Sequence, residues 1–498
     1  MAKKLPIFYS ALLLTGVNLL LRFVGTSFQV FLSGRIGAEG IGLLQLVMSI
    51  GTMAMVAGMA GIRTATMYLT AESYGRKQSG QVVWALSACI AYSFLTSFAV
   101  GIAVYYFAPQ IATHWIGQPL VTESIRLYAS FLPINCLCGV MVGYFTGANR
   151  IGTLAAVEVV EQLFTMVSTI AILSLWAGTD AVKACQAVIL GSGFGAVLTL
   201  TCLVILRLRE RVRIEPKTPM LRRLGEIAIP LALADNLRTG ISTVENLMVP
   251  KRLALYSGVL SPLAAFGTVC GMVFPILTFP MAILFGLNEL LIPELARCNA
   301  AGSTARIQYL TKQSLRIALL FSCVCSCILF LAAEPLCRQL YNSVEAGIYL
   351  RWFAPLAIML YCDSVIDAMI KGLGAQKASV RYNICTNVMD VAFLYVLLPK
   401  YGIRGYFLSF AITHGVNLIL SLNKLLKITD ISISFSMLLR ALGAVGIAIL
   451  FANVMENHVI AVFLGVLILC SLFQLLGVTK AEDFRWLLRL LKRKELPR

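Results

Sequence analysis

About fourteen stretches of roughly 20 mainly apolar residues follow one another along this chain, each long enough to cross a bilayer as a helix. Short segments holding Gly, Pro, Asn or several charges separate them. Hydrocarbon offers no hydrogen bonds, so a segment surrounded by it must satisfy its own backbone, and a helix does so. The composition agrees: 59% of the 498 residues are hydrophobic and 13% charged, and the mean hydropathy is +0.85, far from the range of soluble domains. The expected fold is an all-α integral membrane protein of about fourteen transmembrane helices. Little chain is left over for an extramembrane domain.

The first apolar stretch, residues 5–32, carries Arg22 near its middle and lacks the small-residue cleavage site of a secretory leader, so it reads as a retained span. Residues 1–206 then form a first lobe of six spans, and 207–223 (RLRERVRIEPKTPMLRR from Arg207) a basic cytoplasmic linker. A second lobe of six spans follows over 224–430, two additional spans over 431–479, and an amphipathic basic tail over 480–498 that suits a membrane surface. With the amino terminus inside, alternate loops hold about 27 Lys and Arg inside and about 9 outside, which places both termini in the cytoplasm. A net charge of +18 is thereby accounted for by an inner face that contacts anionic lipid, and not by nucleic-acid binding.

Chemistry of other kinds finds no foothold. Most of the 14 Cys lie in apolar spans, as Cys323, Cys325 and Cys327 do in one helix; residues two apart do not share a helix face. Cys136 and Cys138 read the same way, as small apolar side chains. The three His (His114, His414, His458) fall in no metal-binding motif, and no P-loop or catalytic serine motif accompanies them. The chain is expected to be neither an enzyme nor an ATP-driven motor, with no metal site and no cofactor.

An internal repeat supplies the organisation. Gly147-Ala148-Asn149-Arg150 is echoed by Gly374-Ala375-Gln376-Lys377, each closing one span and opening the next after a helix with a Pro (Pro133, Pro355). Arg22 and Arg35 are echoed by Arg238 and Lys251 at the same separation. Two pseudo-symmetric lobes with a central cavity are the expectation, since transporters built of two bundles show such symmetry and bind substrate between them.

Ionisable side chains at the bilayer centre cost about 2.5–3.5 kcal/mol each on insertion scales, so each needs a partner or a wet cavity. Asn18, Arg22, Gly25 and Gln29 recur at helical spacing and form one stripe that holds no acid. Arg22 is therefore either paired with a carboxylate of another helix or a cavity cation for an anionic substrate group. Asp235, Arg238, Ser242 and Glu245 form a similar stripe in the seventh span, where Asp235 stands ready to neutralise Arg238. Two guanidiniums at mid-depth, Arg22 and Arg238, suit a pyrophosphate held bidentately. Further stripes are Glu158/Glu161/Gln162, Asp363/Asp367/Lys371, Asn383/Asn387/Asp390 and His414/Asn417/Ser421. Each is interhelical glue, cavity wall or ion site. Glu161, Asp363 and Asp367 are the candidates for Na+ or H+ coupling. Pro275, Pro280 and Pro293 predict kinks in the eighth span.

The first-helix pattern NLLLRFVGTSFQVFLSGRIGAEGIGLLQL, the GMAGIRTATMYLTAESYGRKQSGQVV that follows and FPILTFPMAILFGLNELLIPELAR in the second half resemble the stage V sporulation protein B family. That family stands beside the O-antigen and lipid II flippases and the multidrug and toxin extruders in the multidrug/oligosaccharidyl-lipid/polysaccharide exporter superfamily. The resemblance covers nearly the whole chain. It implies an extruder-like fold of two lobes in a bacterial plasma membrane, moving a polyprenyl-pyrophosphate-linked sugar from the inner to the outer leaflet. By analogy with the lipid II branch, Arg22 matches that branch's essential first-helix arginine in the central cavity; Arg63, at the inner end of the second span, and Arg238 match more loosely. A flippase for a lipid-linked saccharide, with substrate contacts from Asn18, Arg22, Gln29, Arg63, Asp235, Arg238 and Glu245, is the leading expectation. A cation-coupled drug extruder and a non-transporting scaffold for cell-wall assembly are its alternatives.

Overall fold

A computed structural model describes the backbone over residues 7–75, 80–178, 180–210, 221–432, 435–455 and 457–479. Most of the basic linker, the tail 480–498 and the side chain of Asn18 lie outside the described residues. Among the described residues there is no strand. The first half comprises α1 (Ile7–Met59), α2 (Ile62–Gly75), α3 (Gln81–Gln110), α4 (Thr122–Gly147), α5 (Ile151–Ile172), α6 (Ala181–Leu208) and α7 (Leu221–Leu253). The second comprises α8 (Pro262–Gly267), α9 (Phe274–Thr278), α10 (Met281–Ala300), α11 (Thr304–Tyr341), α12 (Val344–Phe353), α13 (Ala357–Gly372), α14 (Gln376–Tyr401), α15 (Ile403–Thr429), α16 (Phe435–Ala452) and α17 (His458–Leu475).

Ten described helices are long and apolar enough to cross a membrane, eleven when one bent pair counts as a single span. Three features reconcile that number with about fourteen expected spans. First, α1 is two helices that meet at a kink at Gly37, where φ of 68° and ψ of −178° are not helical, so two expected spans are counted as one. Second, α7 carries its polar stripe and is not among the apolar set. Third, α16 is short. The bent pair is the proline-rich eighth span: Pro262–Thr278 and Met281–Ala300 meet at 55°, with Pro280 at the N-cap of α10. The kinks expected from proline are therefore concentrated at one corner.

Packing groups the chain into two compact units, Met1–Gly271 with Leu394–Gly402, and Met272–Phe393 with Ile403–Arg498. In the first, α4 packs against α2, α3 and α6. In the second, α13 packs against α10, α11 and α15 in the same sequential order. α7 lies with the first unit, against α1 and α2.

The two helical corners show the repeat at atomic detail and correct its register. After α4, the N–H groups of Ala148, Asn149 and Arg150 donate to the carbonyls of Tyr144, Thr146 and Phe145, with Asn149 left-handed. After α13, Leu373, Gly374 and Ala375 donate to Met369, Lys371 and Ile370, with Gly374 left-handed. Asn149 thus corresponds to Gly374, not to Gln376 as the matching letters suggest. In this register Gly147 corresponds to Gly372, and both serve one purpose. A Cβ on Gly147 would lie 2.6 Å from the Met67 carbonyl, and one on Gly372 2.9 Å from the Ile292 carbonyl, so each glycine admits the backbone of a neighbouring helix.

Candidate transport site

In the first unit the polar faces of α1 and α5 meet. Gly25, one turn from Arg22, has no side chain, and the position of its missing Cβ is 4.0 Å from Nε2 of Gln162. Arg22 is half-buried and engaged within the protein. Arg63 stands exposed one residue into α2, near enough to Glu158 of α5 to act on its charge; Glu158 acts in turn on Glu161. Glu161 leans on α6, its Cγ 3.6 Å from where a Cβ of Gly195 would be. Arg63 was expected at the inner end of the second span. It sits just past the break that closes α1, after Ala60 and Gly61 with φ of 42° and 72°, and helix resumes as α2 as far as Gly75.

Gln29 is occupied differently. Its Nε2 donates to the carbonyl of Gly271 at 3.2 Å, within the π-helical turn Thr268–Val273. A π turn widens the helix and frees carbonyls, and the amide of Gln29 meets one of them. On α7, Asp235, Arg238 and Ser242 are exposed and Glu245 is half-buried with a partner in the protein. The neutralisation of Arg238 by Asp235 is not formed: among the described residues the two make no ion pair. An exposed pair three residues apart gains too little to hold two long side chains in one geometry. Arg238 therefore presents its charge more openly than its sequence neighbour implied.

The second unit holds a connected polar seam. Nδ2 of Asn417 donates to Oδ2 of Asp363 at 2.8 Å and to Oδ1 of Asn383 at 3.4 Å; Thr386 donates to Oδ1 of Asn417 at 3.5 Å. The other carboxylate oxygen of Asp363 is buried with no hydrogen-bond partner among the described residues. Asp367 is otherwise disposed: Lys371 approaches it at 2.5 Å and Ser379 donates to it, so its charge is balanced locally. Of the candidate coupling acids in this unit, Asp363 is the one left with an open oxygen. Asp390 lies deeper, accepting from Ser409 at 2.6 Å and Thr413 at 3.1 Å. The ring of His414 lies tilted at 47° against Phe410, centroids 4.0 Å apart, while Asn417 and Ser421 of the same stripe are buried.

Sequence reasoning passed over Asn288, Ser409 and Thr413. Asn288 is 8% exposed and donates to Oγ of Ser364 at 3.0 Å. Under the corrected register it is the counterpart of Arg63, as Asn383 is of Glu158. Equivalent positions are thus charged in the first unit and neutral amides in the second. The four-residue spacing of Ser409 and Thr413 was the available signal, but hydroxyls in apolar helices commonly bond their own backbone.

The chain matches the MatE family over residues 14–170 and 254–396, more than half its length. It belongs to the MatE family. Among curated proteins it is similar to stage V sporulation protein B of Bacillus subtilis (strain 168), 23% identical over 86% of each chain. It is also similar to sporulation protein YkvU of the same organism, 20% identical over 79% of this chain and 89% of that one. Among solved structures, the lipid II flippase MurJ in an inward closed conformation matches with a TM-score of 0.68 and 14% identity, over 96% of this chain and all (100%) of that one. An inward-facing multidrug resistance MATE family transporter of the MOP superfamily matches with a TM-score of 0.67 and 16% identity, over 84% of this chain and 100% of that one. This MatE-family chain is a multi-pass membrane protein, and its fold is the extruder-like one its sequence suggested.

Proposed function

We propose that this transporter is a flippase that carries a polyprenyl-pyrophosphate-linked saccharide, a peptidoglycan precursor or polysaccharide unit, from the inner to the outer leaflet by alternating access, with both termini cytoplasmic. The observation that carries the reading is the set of guanidiniums on spanning helices of the first unit: Arg22 half-buried, Arg63 and Arg238 uncovered by protein. A cation at membrane depth that its own protein does not bury belongs in water, beside an anion, and not among acyl chains. A pyrophosphate is the anion that planar guanidinium donors suit. Kinship with stage V sporulation protein B and likeness in fold to a lipid II flippase support a lipid-linked cargo. In this reading Gln29 acts by holding the Gly271 turn, while Asn18, Asp235 and Glu245 contribute to the polar wall. Native mass spectrometry of the purified protein tests it: a co-purifying polyprenyl pyrophosphate or its sugar-linked form is the expected adduct, and retention of ordinary phospholipid alone speaks against the cargo.

Glu158 and Glu161 favour a second reading, a cation-coupled drug extruder, because carboxylates at depth attract organic cations. The uncovered guanidiniums of Arg63 and Arg238 weaken it, because they repel a cationic cargo. Efflux of cationic drugs from expressing cells, lost on substitution of Glu161, would reverse the ranking.

Coupling to Na+ or H+ falls to Asp363, whose open oxygen gives a small cation a place to bind, ahead of Asp367 and Glu161. Asp363→Asn keeps the side-chain volume and removes the charge. It is expected to lower flipping driven by an imposed Na+ or H+ gradient by about tenfold or more, the worth of one charged hydrogen-bonding group, with insertion unchanged. The dependence of rate on each gradient in proteoliposomes checks this.

A further inference from the structure

The residues of α2, the helix that carries Arg63, divide cleanly by exposure. Ile62, Ala65, Thr66, Leu69, Thr70 and Ser73 are buried. Arg63, Tyr68 and Ala71 are exposed, with Thr64 and Met67 half-buried among them. At 3.6 residues per turn the second set occupies one continuous side of the helix. Protein borders that side along both edges. On one, α4 comes in on glycine: a Cβ on Gly147 would lie 2.6 Å from the Met67 carbonyl. On the other, α7 comes in at Gly61, where a Cβ would lie 2.5 Å from the Ala228 carbonyl, and Arg223 pairs with Glu72. The strip left open between α4 and α7 holds the cation of Arg63, which places water over it and not acyl chains.

Tyr68 stands on this strip with 56% of its surface uncovered. The other tyrosine of α2, Tyr74, ties its hydroxyl to that of Tyr144 at 3.2 Å. Tyr68 makes no hydrogen bond among the described residues. Packing within the chain therefore gives no reason for a ring at this position. A flat apolar face with a polar tip, held open to water, suits a ligand that has an apolar face of its own and a polar rim. The repeat points the same way. In the register that pairs Arg63 with Asn288, Tyr68 is paired with Pro293. The second unit thus lacks both the cation and the ring, and the first has the two on one helix face.

We propose that Tyr68 is a stacking platform for the first pyranose of the cargo and forms, with Arg63, one subsite on the open strip of α2. This rests on the reading of the cargo as a pyrophosphate-linked saccharide. Five residues separate the two side chains, a rise of about 7.5 Å along the helix. With Arg63 on the phosphate oxygens, the ring of Tyr68 lies about one sugar further along. A pyranose carries C–H groups on its face and hydroxyls around its rim; the aromatic face takes the first and leaves the second to water. Ala71, exposed one turn beyond, is too small to obstruct the space over the ring.

Two lipids titrated against the purified full chain test it, with bound fractions read by native mass spectrometry: a polyprenyl pyrophosphate without sugar, and the same lipid bearing one sugar. The native chain is expected to hold the sugar-bearing lipid more tightly. Tyr68→Ala is expected to weaken that lipid by roughly three- to tenfold and to leave the bare pyrophosphate unchanged, whereas Arg63→Ala weakens both. Tyr68→Phe keeps the ring face and is expected to bind like the native chain. Tyr68→Leu keeps apolar bulk without the flat face and is expected to match alanine; it serves where the alanine variant fails to insert. Equal weakening of both lipids on loss of the ring, no weakening of either, or a leucine variant that binds like the native chain overturns the platform and leaves the cargo reading standing. A native chain that binds neither lipid overturns both.

Discussion

Replacing Arg22 by alanine is expected to abolish flipping of a polyprenyl-pyrophosphate-linked sugar in proteoliposomes while the protein still inserts and purifies. Arg22 is half-buried on a spanning helix, its polar face turned toward α5 at Gly25 and Gln162. A guanidinium in that setting meets a phosphate with paired donors, and the two groups shed water on each other when the cargo binds. Truncating one partner of such a desolvated charge pair costs about 2–5 kcal/mol, thirtyfold or more. Arg22→Lys keeps the charge and loses the fork, so an intermediate rate is expected. Arg22 already has a partner within the protein, and the cargo must displace or share it. Transport at the native rate in the alanine variant would remove Arg22 from the path altogether.

The second large effect concerns folding. Gly267→Val is expected to prevent accumulation of folded protein in the membrane, because α8 and α1 touch backbone to backbone there. A Cβ on Gly267 would lie 2.0 Å from the Ala38 carbonyl and 2.6 Å from the Gly42 nitrogen. On the facing helix, a Cβ on Gly42 would lie 2.2 Å from the Leu263 carbonyl. Neither neighbour is a flexible side chain, so the helices themselves must part, at a cost of about 3 kcal/mol or more, the upper end for overpacked cores. Parting them also removes the close van der Waals contact by which small residues hold helices together in lipid. Gly443→Val, on α16 where nothing lies within 4 Å, is the control and is expected to be near neutral. Thermal midpoints in detergent, read by size-exclusion fluorescence, separate the two; equal midpoints would mean α1 and α8 do not approach as described.

Much of the local pattern was legible without coordinates. Each polar stripe reads off the 3.6-residue period. The pair Asp367 and Lys371 was legible too, being four residues apart on one helix. Asp235 and Arg238 had similar spacing but form no pair, because spacing brings side chains within reach and only the surroundings make the bond worth its entropy. The repeat was visible as matching letters and misplaced in register, since Gly-Ala recurs by chance while a left-handed corner residue does not.

Sequence by itself determined the solvent, the helical class and the face of each helix that carries polarity, because all of these follow from hydropathy and period within a single segment. Tertiary structure decided which stripe meets which. It gave Asn417 to Asp363, bound Gln29 to a π turn and paired Arg223 of α7 with Glu72. Those pairings depend on how each helix is rotated and how deep it sits relative to residues far along the chain, and no local period encodes either.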